Sequence, residues 1–182
     1  MNIFALDSDP IVAARKTIRK QHIVKMPTEA GQMLSFAIRT VFNDYDNVLS
    51  GISKYSKNYA MHPCSKWVRE SNSNFEWLTI YGLELCKMYT EVYDKTHNAE
   101  ITINNCNDYY ISSMFPQTEL TPFYCAMPTI YYHNGLYVPR QTMQQSINSY
   151  KDLYKYDKLN GLTYKDVYDT LDFLTELNLT LN

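Results

Sequence analysis

The chain has no excess of either charge sign. Its 182 residues carry seventeen Lys and Arg against nineteen Asp and Glu, a net charge of -2. A protein that grips duplex nucleic acid through its phosphates carries a clear basic surplus. Binding of that kind would need a local basic patch here, whereas a small nucleotide is electrostatically easier to accept. The four cysteines, Cys64, Cys86, Cys106 and Cys125, are widely separated. They form no CxxC pair, so they offer neither zinc-finger spacing nor a compact disulfide framework, and reduced thiols in a cytoplasmic protein are expected. No apolar run approaches the roughly 20 residues that span a bilayer. The N-terminus, Met1-Asn2-Ile3-Phe4-Ala5-Leu6-Asp7, lacks the basic stretch of a secretory signal. Phosphate loops, dinucleotide fingerprints and serpentine Ser nucleophile elbows are also missing, as is any HxH or HxxxH pair, which leaves no expected metal site and no expected cofactor.

What the chain does have is helical punctuation. Asp7-Ser8-Asp9-Pro10 starts a helix, because an Asp side chain accepts from the first amides and Pro fits the first turn. That helix is expected to run to about Lys25 and to break or kink at Pro27. A second then follows from Thr28 to about Phe42, with Met33, Leu34, Ala37, Ile38 and Val41 on its apolar face. Residues 43–61 are polar and irregular and read as a loop. His62-Pro63 restarts a short helix, and Ser73-x-x-Glu76 has capping-box form. Leu78, Tyr81, Leu85, Met88, Tyr89 and Val92 then repeat at three and four, the strongest helical signal in the chain. Residues 98–113 are weakly helical, and 114–129, with three prolines, form a loop. Ile130 to Val138, with Asn134-Gly135 at its centre, has the form of a β-hairpin. Helices over about 140–158 and 163–177 complete a mainly α, single-domain bundle with one small hairpin.

The polar residues suggest a site built from several helices. His22, Lys25 and Glu29 recur at three and four and would share one face of a continuous helix, whereas a break at Pro27 would put Glu29 on the next helix. A carboxylate beside His and Lys suits general-base work or stabilisation of a cation, and a salt-bridged surface uses the same spacing. His62 at a helix start either satisfies that terminus or meets a phosphate there. Trp67 and Trp77 suit core anchors or base-stacking platforms. Arg69 suits a bidentate phosphate clamp or a pair with Glu70 or Glu76. His97 follows the long helix, where a ring serves the carbonyl end. Seventeen tyrosines offer faces for stacking, although half-buried packing is their ordinary role.

A family resemblance rests on ordered blocks. These are Met1-Asn2-Ile3-Phe4 with Asp7-Ser8-Asp9-Pro10, His22-Ile23-Val24-Lys25-Met26 with Glu29, and Gln32-Met33-Leu34-Ser35. His62-Pro63-Cys64-Ser65, Trp67-Val68-Arg69, Asn74 with Trp77-Leu78, and Lys95 with His97 follow. Thr121-Pro122-Phe123, Ala126-Met127-Pro128, and Tyr150 with Tyr154 complete the set. Over residues 1–158 the chain resembles a group of small bacteriophage proteins. That group is distantly similar to the phage pyrimidine-dimer DNA glycosylase, also called endonuclease V. The resemblance implies that Glu29 is the catalytic carboxylate, with His22 beside it, and that an N-terminal amine attacks the sugar. Asn2 is large enough to block removal of the initiator, so that amine belongs to Met1. Lys25, Gln32, His62, Trp67, Arg69, Asn74 and His97 are the implied ligand contacts.

The expected partner is a nucleotide or DNA, met in the cytoplasm of an infected bacterium, with no membrane involved. Two other readings stand beside the glycosylase. One is a non-catalytic binder that sequesters a small, for instance cyclic, nucleotide signal of host defence. The other is a protein inhibitor that docks through its acidic C-terminal helix. Residues 159–182 fall outside the resemblance and are expected to cover a site edge or to mediate self-association as a homo-oligomer.

Overall fold

The computed structural model describes residues 1–132, 141–168 and 171–181. It is mainly α-helical: α1 (Pro10–Arg15), α2 (Lys20–Val41), α3 (Lys57–Ala60), α4 (Pro63–Val68), α5 (Asn72–Tyr93), α6 (Ala99–Tyr109), α7 (Met143–Leu153) and α8 (Leu171–Glu176). Two isolated bridges, Arg19 with Val167 and Ser71 with Gln117, are the only β pairing among the described residues. No helix there is long and apolar enough to cross a membrane. Thr129–Tyr131 forms a 3-10 turn where the hairpin was expected to begin. The rest of that expectation, including Asn134-Gly135, lies outside the described residues.

The first helix starts as its sequence dictates, with Asp9 Oδ1 accepting from the amides of Ile11 and Val12 and Pro10 in the first turn. It ends ten residues earlier than expected. Residues 16–19 leave the helix so that Ile18 can accept from Tyr168 N–H (2.8 Å) and Arg19 can bridge Val167. Pairing with the C-terminal segment thus replaces the middle of the expected helix. Conversely, Pro27 does not break α2, which runs through it. A proline there removes one amide and costs about 3 kcal/mol. The cost is outweighed because α2 is the central helix, packed on α5, α6, α4 and α3. The neighbouring carbonyl of Val24 gains an external donor, His97 Nε2 at 2.9 Å. His22, Lys25 and Glu29 therefore sit on one uninterrupted helix.

The central crossing of α2 and α5 depends on small residues. A Cβ on Gly82 would lie 3.1 Å from Ala30 Cβ and 2.9 Å from Ile103 Cδ1. The cap of α5 is Ser71, whose hydroxyl accepts from Ser73 N–H. The Ser73–Glu76 box is not used, because the Ser73 hydroxyl donates to Thr118 C=O (2.5 Å) and Glu76 accepts from Tyr110 (2.9 Å). Trp67, Trp77 and Phe123 form an aromatic knot beneath α4 and α5, with ring separations of 4.8–6.0 Å. At the far end of α2, the buried Arg39 pairs with Asp44. Its guanidinium also donates to Ser53 C=O (2.7 Å), Leu49 C=O (3.0 Å) and Ile52 C=O (3.2 Å), fixing the 43–56 loop from inside.

The C-terminal segment is part of the core. Val167, Phe173, Leu174, Leu177 and Leu181 belong to the same apolar cluster as Ile3, Leu34 and Tyr81. α7 has a full capping box at Thr142 and Gln145 and continues into a π-helical turn, Tyr154–Lys158. That wider turn carries Tyr154 to the N-terminal segment.

Candidate functional site

The N-terminus lies inside the fold. Ile3, Phe4, Ala5 and Leu6 are buried, and Asn2 pins the segment at four points. Its backbone N–H donates to Glu29 Oε2 at 2.8 Å. Its side-chain oxygen accepts from the amides of Ile3 (2.8 Å) and Phe4 (3.3 Å), and its side-chain nitrogen donates to Ala126 C=O (3.1 Å). Phe4 has a φ of 35°, a conformation that costs a non-glycine residue of order 1–2 kcal/mol. The ring's packing offsets this cost. It stacks on His22 at 4.5 Å and presents edges to Tyr154 (5.4 Å) and Tyr150 (6.4 Å).

Glu29 is the polar centre of this arrangement. It is 8% exposed and lies on the face of α2 toward Asn2. Its second oxygen meets Lys25 Nζ at 3.0 Å, and the Lys25 side chain is well exposed. One carboxylate thus spans the buried N-terminal backbone and a solvent-facing cation. His62 and Cys64, at the start of α4, feel both the α-amine charge and the Glu29 carboxylate. Burial and the nearby amine lower the His62 pKa below its usual 6.5, while Glu29 opposes them. Burial pushes the Cys64 thiol up to about 12, which leaves it protonated and a poor nucleophile at neutral pH. The direct contacts of Glu29 are thus the Asn2 backbone and Lys25, with His62 and the α-amine within electrostatic reach.

His22 supports this site from below. It is buried beneath Phe4, and its Nδ1 lies 3.1 Å from Tyr154 Oη. Arg19 N–H donates to the same hydroxyl at 3.3 Å. Burial, with the cations of Arg19, Lys158 and Lys25 nearby, drops the His22 pKa to about 3. The ring is neutral at physiological pH. Its geometry is that of a positioning residue for Phe4 and the N-terminal segment.

The other expected ligand residues divide. Gln32 is half-buried on α2, one turn beyond Glu29. His62 caps α4, its Nδ1 accepting from Cys64 N–H at 3.2 Å. Arg69 is half-buried and donates to Ala60 C=O at 2.9 Å, which ties α4 to α3. Trp67, Asn74 and His97 are drawn into the interior. Trp67 Nε1 donates to Thr121 C=O (3.4 Å). Asn74 donates to Trp67 C=O and Thr121 Oγ1 (2.7 Å each) and accepts from Thr121 N–H (2.9 Å). His97 joins Val24 C=O to the Ala99 amide at the start of α6. The hydrogen bonds of these three hold backbone segments together.

The residues that sequence reasoning left without a role are Asn2, Phe4, Tyr150 and Tyr154. All four stand in the resemblance blocks, which was the available signal. The long-range contacts that use them lie beyond any local pattern. Among the described residues no group of three His, Cys, Asp or Glu is placed to hold a metal ion. A groove of about 240 Å³ lies elsewhere, between residues 155–162 and 179–181. Comparison with protein-family models, with curated proteins and with solved structures finds no match for this chain.

Proposed function

We propose that the chain is a phage-type protein that recognises a nucleotide or nucleic acid and acts on an N-glycosidic bond where its N-terminus meets Glu29. The observation that carries this reading is the 2.8 Å contact between Asn2 N and Glu29 Oε2, across 27 residues of sequence. The endonuclease V resemblance calls for a carboxylate beside an N-terminal amine, and the contact puts Glu29 against the backbone N–H of Asn2, next to the residue that bears that amine. In the reaction, the lone pair of the neutral amine forms a bond to the sugar C1′. The bond from C1′ to the base breaks, and its electron pair leaves with the base, which takes up a proton. After loss of the amine proton and ring opening, an imine links protein and sugar. Glu29 stabilises the developing cation and accepts the amine proton, while Lys25, on the solvent side, suits a phosphate.

A second reading is favoured by one specific feature. While Met1 is in place, the nitrogen against Glu29 is a peptide amide, which is not a nucleophile. A non-catalytic binder that sequesters a small nucleotide needs nothing more than that.

Reductive trapping separates the two. The protein is incubated with cyanoborohydride and oligonucleotides that carry a thymine dimer or an abasic site, and in parallel with nucleoside phosphates and cyclic nucleotides. Expected is a covalent adduct on the N-terminal peptide, found by mass spectrometry and reduced at least about 100-fold in Glu29→Gln. A nucleotide that is depleted from solution and returned intact on heating, with no adduct, overturns catalysis and establishes the binder.

A further inference from the structure

Beside the Glu29 site lies a face with unusual composition. Residues 45–70 carry Lys54, Lys57, Lys66 and Arg69 against Asp46 and Glu70, so the net charge is +2 here and -4 over the rest of the chain. Aromatic rings are interleaved with these cations and turned outward: Tyr45 is 49% exposed and Tyr59 is 55% exposed. They are organised by a ring network. Tyr59 lies parallel to the buried Phe36 at 6.4 Å, Tyr55 meets Phe36 edge-on at 6.5 Å, and Tyr45 meets Tyr55 at 4.9 Å. The Arg69 guanidinium lies within electrostatic reach of the Tyr55 and Tyr45 hydroxyls. Arg39 and Asp44 fix the loop beneath, and Asn47 Oδ1 accepts from Tyr55 N–H at 2.5 Å. The rings are therefore presented on a preorganised loop. At its edge stands His62, three residues after Tyr59, which is coupled electrostatically to Glu29 and to the α-amine.

We propose that the face carrying Tyr45, Tyr55 and Tyr59 with Lys54, Lys57 and Arg69 docks a single strand of nucleic acid. This rests on the reading of the Glu29 site given above and adds the class of substrate. Flat rings spaced among cations match the two features of a single strand, unpaired bases and a phosphate backbone. A duplex keeps its base faces stacked away from such rings, and the acidic remainder of the chain repels a long duplex.

The test is fluorescence anisotropy of a labelled oligothymidylate about 15 nucleotides long, against a matched duplex, at low and moderate salt. Wild type is expected to prefer the single strand. Tyr45→Ala/Tyr59→Ala, at two exposed positions, is expected to weaken binding at least about tenfold with the helical circular-dichroism spectrum retained. Lys54→Gln/Lys57→Gln is expected to flatten the salt dependence by about 1.4 in log–log slope. Preference for duplex, absence of single-strand binding, displacement by an acidic peptide instead, or unchanged affinity in both variants each overturns the proposal. Tyrosine-dependent binding without a trapped adduct sinks the glycosidic reading alone. A trapped adduct on an abasic trinucleotide with tyrosine-independent oligonucleotide binding sinks the docking surface alone.

Discussion

Acid should unlatch the N-terminal segment through His22. In the unfolded chain the imidazole takes up its proton near 6.5, whereas in the fold it does so only near about 3. Between those values the unfolded state binds more protons than the native state, so stability falls as pH falls. The contribution is fully present above pH 6.5. It is smaller by about 2 kcal/mol at pH 5, and by about 4–5 kcal/mol below pH 3. A domain of this kind holds about 5–15 kcal/mol in all, so this one ring accounts for a sizeable share. The cause is local: Phe4 covers one face, Tyr154 occupies Nδ1, and the cations of Arg19, Lys158 and Lys25 outweigh Asp157. Urea unfolding of wild type and His22→Asn between pH 7 and pH 4 isolates the effect. Asn keeps an oxygen for the Tyr154 hydroxyl and does not titrate. The wild-type curve is expected to fall below the variant's pH dependence by about 2 kcal/mol at pH 5. Parallel curves, or a His22 ring proton that titrates near 6.5 by NMR, would refute the reasoning.

Two further outcomes test the packing. Gly82→Ala is expected to lower the melting temperature by about 3–6 °C although alanine favours helix, because the new methyl lies 3.1 Å from Ala30 Cβ and forces α2 from α5; an unchanged or higher melting temperature would show that the crossing has room. Cys64, Cys86, Cys106 and Cys125 are all buried, with thiols pushed up to about 12 by that burial. A chromogenic disulfide reagent at pH 8 should therefore leave the native protein untouched and titrate four thiols in denaturant, and rapid native reaction would contradict this.

The legible parts of the fold were those set by local chemistry. Asp9-Pro10 and His62-Pro63 start helices because their caps lie within three residues, and the apolar spacing of Leu78, Tyr81, Leu85 and Met88 marks the buried face of α5. The misread parts were set by distant partners. Pro27 stays helical because four helices pack around α2, and residues 16–19 unwind because Val167 and Tyr168 pair with them. Neither partner is visible in an eighteen-residue window. The cap of α5 moved to Ser71 for the same reason, since Thr118 takes the Ser73 hydroxyl.

The site shows the same division, and this bears on what the protein does. Spacing put Lys25 and Glu29 on one face only for a helix that ran through Pro27; α2 does so, and they meet at 3.0 Å. What spacing could not supply is the N-terminal backbone beside them, which depends on Asn2 reaching Ala126 and on Phe4 reaching His22 and Tyr154. Tyr154 in turn is placed by a π turn, with Leu159 N–H donating to Tyr154 C=O at 2.9 Å. Leu159, Val167, Phe173, Leu174, Leu177 and Leu181 share the core with Tyr154, which stands 6.2 Å from Phe173. The C-terminal extension therefore acts on the N-terminal site through the core. Phe173 meets Tyr154, Tyr154 meets His22, and His22 stacks on Phe4, two residues from Asn2. Loss of function on truncating the extension would follow from this chain of contacts without any docking partner.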